Sequence, residues 1–149
     1  MIRGDIKQWN QMLAETARDA GVITNEEFAI FQNSGYMGLY GGMTMNDIHS
    51  NKGLGVRDKI LDFMGSEELV ANLFRISQTD SKLTRENIHG ADAASDTHYV
   101  VGREVRTAIQ RVRGTMPEDL PTPSKSISQV EREQLAKLKN RKNPLMLDE

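Results

Sequence analysis

The side chains that most often carry catalysis are few in this sequence and widely separated. His49, His89 and His98 are the only histidines, and none stands in an HExxH or HxH pattern that would place two imidazole nitrogens on one metal ion. Each is interpreted as an ordinary polar residue on a helix surface. Asp58 and Asp62 lie four residues apart, but no third ligand accompanies them. The sequence therefore predicts no metal site.

Motifs for nucleophilic catalysis and for phosphate binding are also missing. The sequence has no GxSxG elbow that would expose a reactive serine, and no GxxxxGK[ST] loop that would hold a nucleotide phosphate and magnesium. Cysteine is absent, so neither a disulfide nor a thiolate metal site can form, as is typical of proteins from a reducing compartment. These observations predict a protein that is not an enzyme and that binds no cofactor.

The most distinctive residues form the segment SGYMGLYGG at positions 34–42. Because glycines allow positive φ angles, a loop over 35–42 can turn several large side chains toward a partner. Tyrosines in such a loop stack on the bases of single-stranded DNA or anchor a protein interface, where Tyr and Met are enriched. The alternative is that the glycines allow close helix packing and the aromatic side chains fill the core. The candidate partner-binding residues are Tyr36, Met37, Leu39, Tyr40 and Met43.

A second candidate surface lies in the C-terminal third of the chain. Residues 1–100 carry 9 Lys and Arg against 14 Asp and Glu, a net charge of −5, whereas residues 101–149 carry 10 against 7, a net charge of +3. Arg103, Arg106 and Arg113 fall on one face of a predicted helix, so they can converge on a phosphate or on an acidic partner. The net charge of the whole chain is only −2, which favours the alternative of a solvated mixed-charge surface.

The elements that must position these residues are predicted to be helices. Apolar residues at spacings of three and four mark a first helix from Ile2, which ends before Gly21. Thr24 and Glu27 form a capping box that opens a second helix, expected to end near Gly35. Two short helices are predicted over 45–50 and 56–63.

Two longer helices follow, and each has an apolar stripe. The first opens at Ser66 and is predicted to bury a wide face. The second begins between residues 91 and 95 and ends at Arg113. The residues assigned to the two apolar stripes are Leu69, Val70, Leu73, Phe74 and Ile76 in the first helix, and Val101, Val105, Ala108, Ile109 and Val112 in the second.

The pattern changes after residue 114. Three prolines between positions 117 and 123 each remove a backbone donor and disfavour helix at the preceding residue, so this segment is expected to be extended. A charged helix then follows over 126–142 and is interpreted as peripheral or detachable. The predicted fold class is therefore all-α, with a compact multi-helix domain over 1–123 and a charged C-terminal helix and tail over 124–149.

Several segments, taken together, resemble a known bacterial family. They are FAIFQN at 28–33, SGYMGLYGG at 34–42, MGSEELVANLFRISQT at 64–79 and GTMPEDLPTP at 114–123. In this order, without large gaps over roughly residues 10–125, they resemble the C-terminal half of the DNA-damage-inducible protein D family. In that family a further N-terminal domain, similar to the BRO-type domains of viral and phage regulators, precedes this region. The chain is thus expected to be an excised C-terminal domain or a naturally short relative.

The resemblance implies a regulator in the SOS response that inhibits the RecA nucleoprotein filament rather than cutting or joining DNA. RecA or the RecA–DNA filament is then the expected partner, with single-stranded DNA as a second candidate, and a homo-oligomer is compatible with the sequence. Two alternatives stay open: a phage-type anti-repressor or inhibitor module that binds another protein, and a domain that binds DNA directly. No run approaches 18 apolar residues and the N-terminus is charged, so a soluble, cytoplasmic protein without membrane contact is expected.

Overall fold

The computed structural model describes residues 2–142, with side chains from 5 to 141. Within that range the chain forms α-helices and no strand, which confirms the predicted all-α class. In this part of the chain, no helix combines the length and the hydropathy needed to cross a bilayer. The helices are α1 Ile2–Asp19, α2 Asn25–Leu39, α3 Met45–Asn51, α4 Ser66–Arg85, α5 Ala91–Arg111 and α6 Ile127–Lys142, with 3₁₀ turns at Ile60–Phe63 and Pro117–Asp119.

Capping side chains fix where α2 and α3 begin. The Thr24 side chain accepts a hydrogen bond from the Glu27 N–H at 3.0 Å, and the Glu27 carboxylate accepts from the Thr24 N–H at 3.1 Å. Thr44 and Asp47 form the same reciprocal pair at the start of α3. The start of α2 was predicted from its capping box, and the start of α3 was predicted at residue 45. A capping box satisfies backbone donors that have no partner inside the helix.

Helix α4 lies at the centre of the packing. It packs against α1 and α5, and α5 in turn makes its most extensive contact with α2. The Thr16 hydroxyl on α1 donates a hydrogen bond to the Asp80 carboxylate on α4. The Gly90 N–H donates to the Ala20 carbonyl at 2.6 Å, which joins the beginning of α5 to the end of α1. The hydrophobic core therefore lies between these four helices.

Three predicted boundaries differ from the structure. Helix α2 does not end near Gly35 but continues to Leu39, so most of the predicted loop over 35–42 is helical. The short helix predicted over 56–63 is only a 3₁₀ turn at Ile60–Phe63. Helix α5 ends at Arg111 instead of Arg113. Close packing against α5 keeps α2 helical through its glycines, because tertiary contacts override the low helix propensity of glycine.

The buried face of α4 was predicted wrongly in part. Leu69 and Ile76 are buried as expected, but Val70 and Phe74 are 53% and 52% exposed. Polar side chains from the opposite face take the buried positions. A similar correction applies to α5, where Val101 and Val105 are buried while Ala108 and Val112 are exposed.

Helix α6 lies at the edge of the molecule. Ile127, at its start, packs against the core, and the backbone N–H and hydroxyl of Ser128 both donate to the Asp62 carboxylate. Residues 132–141 are all exposed. The helix is thus attached through its first turn.

Candidate functional site

Helices α2 and α5 approach each other over glycine backbone. Later residues of α2 meet later residues of α5, so the two helices run in the same direction. A Cβ atom at Gly38 would overlap the Tyr99 carbonyl oxygen, and one at Gly102 would lie 2.7 Å from the Gly35 carbonyl oxygen. Only residues without a Cβ permit this distance between the helices. Gly35 and Gly38 therefore serve helix packing, whereas Gly41 and Gly42 follow the end of α2 with positive φ angles.

The aromatic residues of this segment belong to the core. Tyr36, Leu39 and Tyr40 are buried, with at most 6% of each residue exposed. Met43 is partly buried and packs against the same core, whereas Met37 lies partly exposed at the edge of α2. The structure thus contains no loop that turns these five side chains outward together. It has the arrangement that the sequence left open as the alternative, in which aromatic side chains fill the space between helices.

A charged group is buried beside Tyr40. The Tyr40 hydroxyl donates to one carboxylate oxygen of Glu68, and the Lys52 ammonium donates to the other at 2.7 Å. The side chains of Lys52 and Glu68 are only 4% and 1% exposed. The Asn72 amide donates to the Tyr40 oxygen at 3.0 Å. A buried charge is tolerated when it is paired and hydrogen-bonded, and here both conditions are met for Glu68.

A second buried cation lies next to this group. Arg75 donates through Nη2 to the Asn72 side-chain oxygen at 2.9 Å, and Nη1 is 2.6 Å from His98 Nε2. Its guanidinium carbon lies 4.5 Å from the centre of the Tyr36 ring, a cation–π geometry. His98 Nδ1 is 2.8 Å from the Phe31 carbonyl oxygen, so this nitrogen carries the proton and Nε2 accepts from the guanidinium. His98 is buried, contrary to its interpretation as a surface residue.

Burial dominates the ionisation of these groups. It lowers the pKa of His98 well below 6.5, and the positive charge of Arg75 lowers it further. It also raises the pKa of Tyr40 well above 10, with the Glu68 charge acting in the same direction. In both cases the neutral form is favoured because a low-dielectric interior penalises charge. His98 and Tyr40 are therefore the neutral members of the network.

Sequence reasoning missed this buried network. One signal was available on α4, where four polar residues recur at spacings of four, three and four and therefore share a helix face. That face could be recognised as buried only once its partners on α2 and α5 were known. The four residues are Glu68, Asn72, Arg75 and Thr79.

The three predicted phosphate-contacting arginines have different environments. Arg106 makes a bidentate pair with Glu118, at 2.9 and 2.8 Å, and donates to the Leu39 carbonyl. This pairing raises the pKa of Arg106. Arg103 is exposed on α5, and Arg113 is exposed beyond the end of that helix, with a φ of 60°. The arginines therefore do not form one uniform cationic face.

A surface groove nevertheless joins parts of both predicted sites. It lies between α2 and α5 where the glycines bring the helices together, and its volume is about 300 Å³. We call it the α2–α5 groove. Met37 comes from the segment predicted to dock a partner, and Arg103 and Arg106 come from the predicted arginine face. The groove is lined by Met37, Gly38, Gly41, Gly42, Tyr99, Arg103, Arg106, Thr107 and Gln110.

The two aspartates considered for a metal site bind backbone and hydroxyl groups. Asp58 accepts from the Gly55 N–H at 2.8 Å, and Asp62 accepts from Ser128. Among the residues described, no three His, Asp or Glu side chains come together in a way that could hold a metal ion. His49 Nε2 lies 3.1 Å from the Asp58 carbonyl oxygen. These contacts give the carboxylates structural roles.

Comparison with known proteins relates the whole region to one family. The sequence profile described as the DinD C-terminal domain matches residues 1–130. The chain is also 54% identical over 130 residues to the DNA damage-inducible protein D of Escherichia coli (strain K12). That alignment covers 87% of this chain and 47% of the relative, so the chain spans about half the relative's length. No solved structure shows a significant match.

Proposed function

This chain belongs to the DinD C-terminal domain family, and on that basis we propose that it is a non-enzymatic regulator in the DNA damage response, which binds and inhibits the RecA–DNA filament. The name of the relative connects that protein with DNA damage. The filament as partner is carried over from the family resemblance. Because the chain spans about half of the relative, both the role and the partner are part of the proposal.

The observation that supports a docking function is the composition of the α2–α5 groove. Met37 and Tyr99 supply apolar and aromatic surface, and Arg103 supplies an exposed cation. Arg106 is already paired with Glu118. One exposed arginine suits one carboxylate of a protein partner, whereas binding to bare DNA draws on several cations along the phosphates. We therefore place the contact with RecA protein in this groove.

The test compares two double variants in RecA-driven strand exchange. Met37→Ala with Arg103→Ala removes both groove anchors. Met12→Ala with Arg111→Ala removes the same residue types from exposed positions outside the groove. The groove variant should need at least about tenfold more protein for half-inhibition, because interface anchors of these types often contribute most of the binding energy. The control variant should inhibit like the wild type.

Other outcomes separate the competing functions. Full inhibition by the groove variant would exclude this groove, and a wild-type chain without effect on RecA would favour an anti-repressor that binds another protein. A pull-down from cells with damaged DNA, with and without nuclease treatment, then identifies that partner.

Direct DNA binding predicts that the logarithm of the binding constant falls with the logarithm of the salt concentration, with a slope near −0.7 for each phosphate contacted on a single strand. Cleavage of DNA with magnesium or manganese, lost in Asp58→Ala or Asp62→Ala, would contradict a non-enzymatic role.

A further inference from the structure

Arg75 is a buried cation, and one of its donors has no acceptor. The residue is only 2% exposed. Nη2 donates to Asn72, Nη1 lies beside His98 Nε2, and the Tyr36 ring covers one face of the guanidinium. In the described part of the chain, no protein atom accepts from its Nε–H. A buried donor without an acceptor costs free energy, because it has lost its hydrogen bond to water. The Nε–H therefore requires an acceptor that the described residues do not supply.

A narrow pocket lies between α1 and α2, with the buried side chains of Arg75 and His98 at its inner end. We call it the Arg75 pocket. Its volume is about 10 Å³, which is close to the smallest space that holds one water molecule. Asn10 from α1 and Gln32 from α2 line it with side-chain amides, each of which has an oxygen that accepts hydrogen bonds. The pocket thus combines room for one water with polar groups on three helices.

We propose that the Arg75 pocket is a binding site for one buried water molecule. The water accepts a hydrogen bond from Arg75 Nε and donates to the side-chain oxygens of Asn10 and Gln32. Buried waters in proteins typically make about three hydrogen bonds to polar groups that have no other partner. Such a water satisfies the donor of Arg75 and connects α1 and α2 to the buried polar network of α4.

The surroundings of the pocket favour water as the ligand. A wider cleft of about 310 Å³ lies beside it, since Asn10, Gln32 and Tyr36 line both. This cleft gives a route from solvent that does not require unfolding. Chloride and the common oxyanions are larger than water, so a pocket with room for one water excludes them although the guanidinium is positive. Size therefore selects the ligand, and hydrogen bonding orients it.

Nuclear Overhauser spectroscopy of the ¹⁵N-labelled 149-residue chain tests the site directly. The Arg75 Nε proton should show a cross peak to water, with the sign of a long-lived contact rather than that of proton exchange. The Asn72 side-chain amide is the control, because it is similarly buried and donates to the Tyr40 oxygen and the Glu68 carbonyl. It should show no such peak. An Arg75 Nε proton that is observed without a cross peak to water would overturn the proposal.

Two isosteric substitutions at Ala14, which lines the pocket, test the need for an acceptor. Ala14→Val fills the space of the water with methyl groups, whereas Ala14→Thr brings a hydroxyl oxygen that can accept from Arg75. Valine and threonine have similar shapes and similar helix propensities. In urea denaturation the folding equilibrium constant of the valine variant should be at least about tenfold lower, because its Arg75 donor stays unpaired. A dry pocket would make the valine variant the more stable one. That result, or equal stability of the two variants, would rule out the bound water.

Discussion

The crossing of α2 and α5 and the outer half of α6, residues 132–141, differ in how their side chains are placed. At the crossing, helices meet over glycine backbone, and the polar side chains around it are buried and hydrogen-bonded to one another. Among the residues described, Arg75 Nε is the single buried side-chain polar atom without a partner. The outer half of α6 is exposed throughout. Stability should therefore depend strongly on the crossing and weakly on this part of α6.

The largest expected effect comes from adding a methyl group at the crossing. Gly38→Ala should destabilise the protein by at least about 3 kcal/mol, since the new Cβ meets the Tyr99 backbone, which cannot move as a flexible side chain can. This loss outweighs the roughly 1 kcal/mol by which alanine favours a helix over glycine. Gly65→Ala is the control, because its new methyl group would enter open space, and it should cost less than about 1 kcal/mol. Equal urea denaturation curves for the two variants would contradict the close approach of α2 and α5 at Gly38.

An effect of comparable size comes from the buried ion pair. Glu68→Ala leaves the Lys52 ammonium buried without its carboxylate and should cost about 3–5 kcal/mol. Glu133→Ala is the matched change on α6, where the partner Lys125 is half exposed, and it should leave the denaturation curve unchanged. Equal stability of the two variants would contradict the expectation that the buried ion pair contributes more to folding than the exposed pair on α6.

The pH dependence of stability should report on His98. Its pKa in the folded protein lies below the unfolded value of about 6.5, so the unfolded state binds the proton more readily. The contribution of neutral His98 to the free energy of unfolding is therefore present above pH 6.5. It is lost as the pH falls below that value, by up to about 1.4 kcal/mol per pH unit. Denaturation at pH 7.5, 6.5 and 5.5 measures this slope. His98→Gln should flatten it, whereas His89→Gln, on the surface, should not. The same slope in all three proteins would contradict a neutral buried His98.

The smallest effect is expected on the outer face of α4. This face is exposed like α6, although the opposite face of the same helix is buried. Phe74→Ala should cost no more than about 1 kcal/mol, because half of this side chain is already in solvent. Leu69→Ala, on the buried face of the same helix, should cost about 2–5 kcal/mol. A loss of similar size in the Phe74 variant would mean that the sequence-based prediction of a wide apolar face was right after all.

The candidate site was predicted only in part. Met37, Arg103 and Arg106 were singled out from the sequence and do line one groove. Tyr36 and Tyr40 were chosen by the same reasoning and are buried. Residue type alone could not separate these groups, because glycines beside aromatic residues are equally compatible with a loop and with a helix contact. The close approach of α5, some 60 residues later in the chain, decides between them.

The sequence by itself determined the local features of this protein. The capping box of α2, the beginning of α3 at Met45 and the all-α class follow from interactions within a few residues, and the family follows from the order of distinctive segments. The tertiary structure alone decided where α2 ends, which face of α4 is buried and how Glu68, Arg75 and His98 are paired. Those features depend on contacts between distant segments, and the free energy of burying a polar group depends on whether another helix supplies its partner.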